Sequence, residues 1–326
     1  MDLINLPELP EYAVRCISII LVMTLDYFLP MGEKFHPLYF FRLVAIRLAD
    51  KVNPDPNRHS SQLIISGALA ALAWVLPLVL IGIFFMPLIE FPYVFEGFLF
   101  WLCLSLYPCI YDHKRVAKAL TKQQKMLARD RLDKWVLRDT TSLSELGITK
   151  ASIESLTLRN SYYTHGLIFW FLLGGVWIAL SYRLLLELSQ VWNTKNSSFK
   201  HFGLPVRSCV NVLAYLPLKL SGFSYCLGKG ISGWIKLEES VTKDWPFSLS
   251  VSPLAGMSQA LKVQLGGAVK YSNRKIRRPQ ISQYRQVQVK DIQDAIKQIY
   301  QSNLIWLIMI VISVSIVMIC NQFLSV

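Results

Sequence analysis

Between Leu304 and Ile319 the chain carries no charged residue. An uninterrupted apolar run of this kind, about 304–324, reaches the roughly 20 residues that a helix needs to cross a bilayer core. Four further segments qualify: about 12–29, 63–89, 93–111 and 164–186. The second and third of the five form a hairpin turning near Glu90-Phe91-Pro92, and Pro77 and Pro87 fall in its first limb, which membrane helices tolerate. These segments predict an all-α polytopic integral membrane protein with five or six membrane segments, its 326 residues forming one membrane domain.

Charge sets the orientation. The chain is 53% hydrophobic and 17% charged, yet its formal net charge is +13. Low hydrophobicity is what disorder requires, so disorder is excluded, and an ordinary soluble enzyme does not fit. Residues 30–60, 112–163 and 228–303 hold 28 of the 34 basic residues and 14 of the 21 acidic ones. The positive-inside rule places all three in the cytoplasm, with 304–324 as a C-terminal anchor. The acidic start (Asp2, Glu8, Glu11) lacks the basic region of a cleavable signal, so the first apolar segment is expected to be retained.

That orientation creates a parity problem. If 164–186 crosses outward, 228–303 returns to the cytoplasm only if a further segment crosses back. The candidate, about 205–227, contains Arg207, Asn211, Pro217 and Lys219. Either it crosses while facing protein, or both it and 164–186 are re-entrant. Polar backbone at membrane depth is tolerated only where it is buried or lines a cavity, so a polar cavity is expected near 165–225.

The basic stretches read as helices. Residues 112–137 form an amphipathic pattern with Val116, Leu120 and Leu127 on one face. Ser142 and Glu145 fit a capping box and Gly147 a stop, with a helix over about 150–160. Gly266-Gly267 permits a tight turn or close approach to a ligand. The basic run after it (Lys270, Arg274, Lys275, Arg277, Arg278) suits phosphate or lipid headgroups. Nucleic acid is not expected, since no aromatic residues are interleaved. Residues 290–303 are read as a helix leading into the last span. Trp101, Trp170, Trp192 and Trp306 read as interface markers. The six cysteines and five histidines show no metal-ligand spacing and no disulfide framework.

An ordered series of short strings then resembles a known family. Leu25-Asp26, His36-Pro37 and Arg42 come first. Arg138-Asp139-Thr140 and Ile153-Glu154-Ser155-Leu156 follow, then Phe169-Trp170, Gly174-Gly175, Lys195-Asn196, Phe202-Gly203 and Tyr215-Leu216-Pro217. Pro253, Met257, Ala260-Leu261, Val263, Leu265-Gly266-Gly267 and Tyr271 complete it. Over about residues 20–282 this resembles the CobD/CbiB-type membrane proteins, the adenosylcobinamide-phosphate synthases of bacterial cobalamin biosynthesis.

The resemblance implies a ligase of the inner membrane that uses ATP and Mg²⁺ to join an aminoalcohol phosphate to a corrinoid, adenosylcobyric acid. It implies Asp139, Glu154 and His36 as catalytic residues, with Asp139 and Glu154 as metal ligands. Arg42, Arg138, Lys195, Asn196, Gly266 and Gly267 would then bind substrate and phosphate. The lipid bilayer, the corrinoid and the aminoalcohol phosphate are the implied partners; the oligomeric state is left open. The chain departs from the pattern where acidic positions are expected: these fall on Leu158, Tyr162, Ser189, Val210, Asn211 and Leu254. A hard divalent cation needs such oxygen ligands. The alternative is therefore a non-catalytic sensor or accessory protein on the same scaffold, similar to the AmpE-type membrane proteins.

Overall fold

The computed structural model describes residues 11–29, 36–104, 106–245, 248–271 and 274–324. The acidic N-terminal residues Asp2 and Glu8 lie outside that range, as does the side chain of Cys320. The described chain is helical almost throughout. In order come α1 (Glu11–Phe28), α2 (Pro37–Val52), α3 (Ser60–Phe85), α4 (Pro92–Cys103), α5 (Leu106–Thr121) and α6 (Lys125–Asp133). They are followed by α7 (Glu145–Asn160), α8 (Gly166–Val191), α9 (Leu204–Cys226), α10 (Ile231–Thr242), α11 (Val251–Leu261) and α12 (Lys290–Leu324). The departures from an all-α chain include a small antiparallel hairpin of β1 (Val269–Tyr271) and β2 (Arg274–Ile276), which pairs Val269 with Ile276, and isolated bridges from Val263 to Arg285 and from Gly266 to Gln280.

Among the described residues four stretches are long and apolar enough to cross a membrane: Ser60–Leu88, Pro92–Thr121, Glu145–Val191 and Lys290–Ile316. The helix expected over 290–303 and the last span are one element, α12. Two other long helices, α1 and α9, carry more charge: Glu11, Arg15 and Asp26 in α1, Arg207 and Lys219 in α9. The third expected span is interrupted at Leu104, whose backbone is extended (ψ 150°) and ends α4.

The third stretch is not a straight helix. A π turn (Ser161–His165) joins α7 to α8. Inside α8, Gly175 has φ 71° and ψ −167°, a combination available essentially only to glycine. The chain reverses there. The Tyr182 hydroxyl donates to the Tyr162 carbonyl at 3.1 Å, and the Arg183 guanidinium carbon sits 4.4 Å from the centre of the Tyr163 ring. In a continuous helix residues twenty apart are separated by about 30 Å. The limb before Gly175 runs without a break through the π turn back to Glu145, about 45 Å, and the limb after it, to Val191, is about 24 Å long. The second limb of this helical hairpin therefore runs back along the first and ends on the same side of the molecule as the Leu158–Tyr163 stretch.

Three apolar clusters hold the fold. The largest joins α5, α6, α7, α10, α11 and the first part of α12, around Val116, Leu132, Ile153, Leu254 and Ile296. A second joins α1, α4, the α8 hairpin, α9 and α12, around Ile19, Phe100, Phe171 and Trp306. The third packs α2 and α3 on the end of α8, around Phe41, Ala71 and Trp192.

Several local expectations are corrected. Residues 112–137 are not one helix: Gln123 takes φ 59° and separates α5 from α6. Val116 and Leu120 are buried as expected, but the break resets the helical phase. Leu127 is exposed, and Ala128 and Leu132 face the core. The cap of α7 is Ser144, whose hydroxyl accepts from the Gly147 N–H at 3.1 Å. Gly147 therefore sits in the first turn and does not end the helix. Trp192 and Trp306 are buried inside the protein. The Trp192 indole donates to the Ala45 carbonyl at 3.0 Å, and Trp306 stacks on His165 at 4.6 Å.

Candidate functional site

A cavity of about 370 Å³ lies where the two ends of the α8 hairpin meet the β-hairpin and α9. Its lining includes five cations: Arg138, Arg159, Lys195, Arg207 and Arg278. Glu154 is the one carboxylate among its described lining residues. Part of its lining, from Leu186 to Asn211, falls within the 165–225 region where a polar cavity is expected, and the rest comes from outside it.

Glu154 is held from three sides. Its position follows from α7, whose apolar residues Ile148, Ala151 and Ile153 are buried. Oε1 accepts from the Gly266 N–H at 2.8 Å, while Oε2 accepts from Arg138 at 2.6 Å and from Arg278 at 3.0 Å. Arg278 also donates from Nε to the Gly267 carbonyl at 3.0 Å and lies 4.9 Å from the Trp245 ring centre. Gly266 has φ 81°, and a Cβ there would sit 2.7 Å from the Pro279 carbonyl oxygen. Glycine is what lets this backbone N–H reach the carboxylate. Burial raises the Glu154 pKa, but Arg278 and Arg138 together with the Gly266 N–H outweigh it. The carboxyl settles at about 2, well below the usual range.

Lys195 enters from the turn after α8, where the Asn193 side chain accepts from the Lys195 N–H at 2.9 Å. Its Nζ donates to the Tyr271 hydroxyl at 3.2 Å and lies 4.6 Å from that ring's centre. Burial pulls its pKa below the ordinary lysine value, and Tyr271 offsets this only in part. Arg207, from the first turns of α9, donates to the Thr194 hydroxyl at 2.7 Å. Arg159, from the last turn of α7, lies 4.5 Å from the Trp135 ring centre and 4.8 Å from that of Tyr163.

Of the nine residues expected at a site, the structure brings Arg138, Glu154 and Lys195 to the cavity wall, with Gly266 and Gly267 behind Glu154. The rest lie elsewhere. His36 caps α2, its Nδ1 accepting from the Leu38 N–H at 3.2 Å. Arg42 is paired with Glu187, which Arg183 also contacts at 2.8 Å. Asn196 caps a short turn by accepting from the Ser198 N–H at 3.2 Å. Asp139 staples its loop: its N–H donates to the Lys270 carbonyl at 2.9 Å, and its carboxylate accepts from Thr141 and faces the Lys270 ammonium at 3.3 Å. The Thr141 hydrogen bonds hold its pKa below the ordinary value.

Comparison with known proteins gives the family. The family model described as CobD/Cbib protein matches residues 19–299. The chain belongs to the CobD/CbiB family. A cobalamin biosynthesis protein CobD of Stutzerimonas stutzeri is 28% identical over 294 residues, 90% of this chain and 96% of that protein. Those of Chromobacterium violaceum and Geobacter metallireducens are 33% identical over 193 residues and 30% over 195. These two matches cover 59% and 58% of this chain and 61% of each relative. No solved structure matches the chain.

The positions at which the CobD/CbiB resemblance leads one to expect acidic residues are not scattered. Leu158, Tyr162, Ser189, Val210 and Asn211, at which acidic positions were expected, all line the cavity; Leu254 is buried in the large core instead. The residues present do not fit Mg²⁺. Among the described residues no three His, Cys, Asp or Glu side chains are grouped to hold a metal. Both Glu154 oxygens, both Asp139 oxygens and the Glu187 carboxylate are occupied by arginines, a lysine, hydroxyl or backbone N–H groups. In this structure the Asp139 carboxylate is engaged by Thr141 and Lys270, and the Glu154 carboxylate by Arg138, Arg278 and the Gly266 N–H.

Sequence reasoning missed Arg159 as a neighbour of the site; Arg278 was read only within a basic run suited to phosphate or lipid headgroups, and Tyr271 only as part of the family strings. Arg207 carried a usable signal, since a charge in a largely apolar helix faces protein or a cavity.

Proposed function

We propose that this CobD/CbiB-family chain acts in cobalamin biosynthesis at the amide-forming step, joining an aminoalcohol phosphate to the carboxyl of adenosylcobyric acid. ATP serves as the dehydrating co-substrate. The observation that carries the reading is the cavity: five cations around about 370 Å³, with Glu154 already consumed by two of them. Like charges gathered in this way are relieved by an oxyanion, and arginine and lysine are the residues that bind phosphate. The volume suits an aminoalcohol phosphate; a corrinoid macrocycle is larger, so it would dock at the mouth and present its carboxyl arm.

The carboxylate would take the γ-phosphoryl group of ATP, its new O–P bond forming as the bond to ADP breaks. The neutral amine of the bound phosphate ester would then attack the acyl carbon, forming the C–N bond as the C–O bond breaks, with inorganic phosphate leaving and the amine proton passing to water. No residue-held metal enters this scheme. The sensor reading of the scaffold gains nothing from the relatives, whose names refer to cobalamin biosynthesis.

The same reading places the protein in a bacterial inner membrane. Residues from 135–163, 186–195, 249–250 and 271–278 surround one cavity, so 112–163 and 228–303 share a side, the cytoplasm. Helix α9 begins at the cavity with Arg207 and ends in the large core with Tyr225 and Cys226. The α8 hairpin is then re-entrant, and α1, α3, α4 with the start of α5, and α12 cross.

The test is the purified full chain with adenosylcobyric acid, aminopropanol phosphate and ATP, the amide product read by mass spectrometry. Turnover lost in Lys195→Met and Arg207→Gln supports the proposal. No turnover from folded wild-type protein that also fails to bind the phosphate ester would sink it.

A further inference from the structure

Among the cations of the cavity, Arg159 differs in what holds it. Arg138 and Arg278 are committed to Glu154, Lys195 to Tyr271, and Arg207 donates to Thr194. Arg159 is braced by rings instead: Trp135 at 4.5 Å and Tyr163 at 4.8 Å. Tyr163 in turn is contacted by the Arg183 guanidinium at 4.4 Å. The Arg159 Nε is buried and makes no hydrogen bond, and no carboxylate among the described residues lies within salt-bridge distance of it. A buried polar group without a partner is uncommon in a folded protein and asks for one.

Aromatic bracing serves a purpose that a salt bridge would defeat. Ring contacts hold a guanidinium in place through its π face and leave its in-plane N–H groups unspent. Those groups form the fork that matches a phosphate or carboxylate bidentately. Arg159 also stands beside Leu158 and Tyr162, two of the wall positions where carboxylates were expected. Those wall positions are neutral, so beside them the cavity presents the Arg159 guanidinium and no carboxylate that could carry a metal.

We infer that Arg159 is the oxyanion anchor of the cavity, and that the phosphate ester is bound there by arginine and lysine alone, without a divalent cation held by the protein. This inference rests on the cavity being the substrate site. It names the group that fixes the phosphate and removes a metal requirement from binding.

Isothermal titration of the full chain in nanodiscs tests it, with aminopropanol phosphate as probe, once in EDTA and once in excess Mg²⁺. Binding is expected in EDTA, with an affinity that Mg²⁺ does not raise. Loss of a charge-assisted hydrogen bond weakens binding by about tenfold or more, so Arg159→Gln is expected to lose at least that. Arg159→Lys keeps the charge but not the fork and is expected to fall between. It also serves if the glutamine variant does not fold, which thermal unfolding of each variant reports.

Binding that appears only with Mg²⁺ overturns the metal-free claim. Affinity unchanged in a folded Arg159 variant but lost in Lys195→Met overturns the role of Arg159 and leaves the substrate cavity standing. No binding by wild type in either buffer overturns the cavity reading itself, and this inference with it.

Discussion

The Tyr182 hydroxyl reaches the carbonyl of Tyr162 at 3.1 Å, across a segment that by composition alone is a single long membrane helix. The contact exists because Gly175 turns the chain back with φ 71°. A Cβ at this position costs on the order of 1–3 kcal/mol in backbone strain alone, and it would also lie 3.2 Å from the Arg15 guanidinium. Gly175→Ala is therefore expected to lower the thermal midpoint of the detergent-solubilised protein, and Gly175→Val to lower it further. Unchanged melting in both variants would mean that the reversal is not strained.

A reporter enzyme fused after residue 196 reads the same geometry in cells. Because both ends of the hairpin border one cavity, fusions after residues 140 and 196 should report the same compartment, the cytoplasm. Opposite signals from the two fusions would require α8 to cross.

Glu154 neutralises two arginines in a buried setting. Removing one partner of such a group leaves the others uncompensated, at a cost of about 3–5 kcal/mol. Glu154→Gln should destabilise the chain by that order in denaturant unfolding, and EDTA should leave the wild-type midpoint where it is. The pH dependence has a definite sign. The folded pKa, about 2, lies below the ordinary glutamate value. The stabilisation is thus present above pH ~4.3 and fades as pH falls toward 2.

Lys195 should shape the pH profile of ligand affinity. A phosphate monoester gains its second charge near pH 6, so affinity should rise through that value. It should fall again on the alkaline side as Lys195 loses its proton. That fall should come below the ordinary lysine value of about 10.4, because burial lowers the Lys195 pKa. In Lys195→Met the alkaline fall should be absent and the affinity lower throughout, as titration calorimetry over a pH series would report.

His36 and Asn196 serve as caps and do not line the cavity. Loss of a cap costs about 1 kcal/mol. His36→Ala and Asn196→Ala should each shift stability by that order and leave phosphate-ester affinity unchanged. A large loss of affinity in a stable variant of either would return that residue to the site.

Much of this was legible in the sequence where one local rule decides the outcome. Leu304 to Ile319 reads as a span because nothing in it is charged, and Gly266-Gly267 reads as a tight turn or a close backbone approach because glycine permits both. Competing local rules were less legible. Ser142 and Ser144 both suit an N-cap, and tertiary packing of α7 selects the second. Gln123 gives no warning of its left-handed backbone, so a helix of one phase was expected where there are two. The reversal at Gly175 hides in an apolar run whose composition is that of a span; only the glycine pair marks it. Arg159 is the clearest case of a role written in three dimensions. Tyr163 lies one helical turn ahead of it, but Trp135 comes from another element, and no spacing rule joins them.

The Gly175 reversal also bears on the direction of traffic. On the proposed re-entrant reading, the limb after Gly175 returns to the face where the cavity opens, and ligands of the cavity would enter from and depart into one compartment. The bilayer then acts as a mooring: it confines a polar workshop to two dimensions, where a corrinoid retained near the surface is met far more often than one dispersed in bulk water.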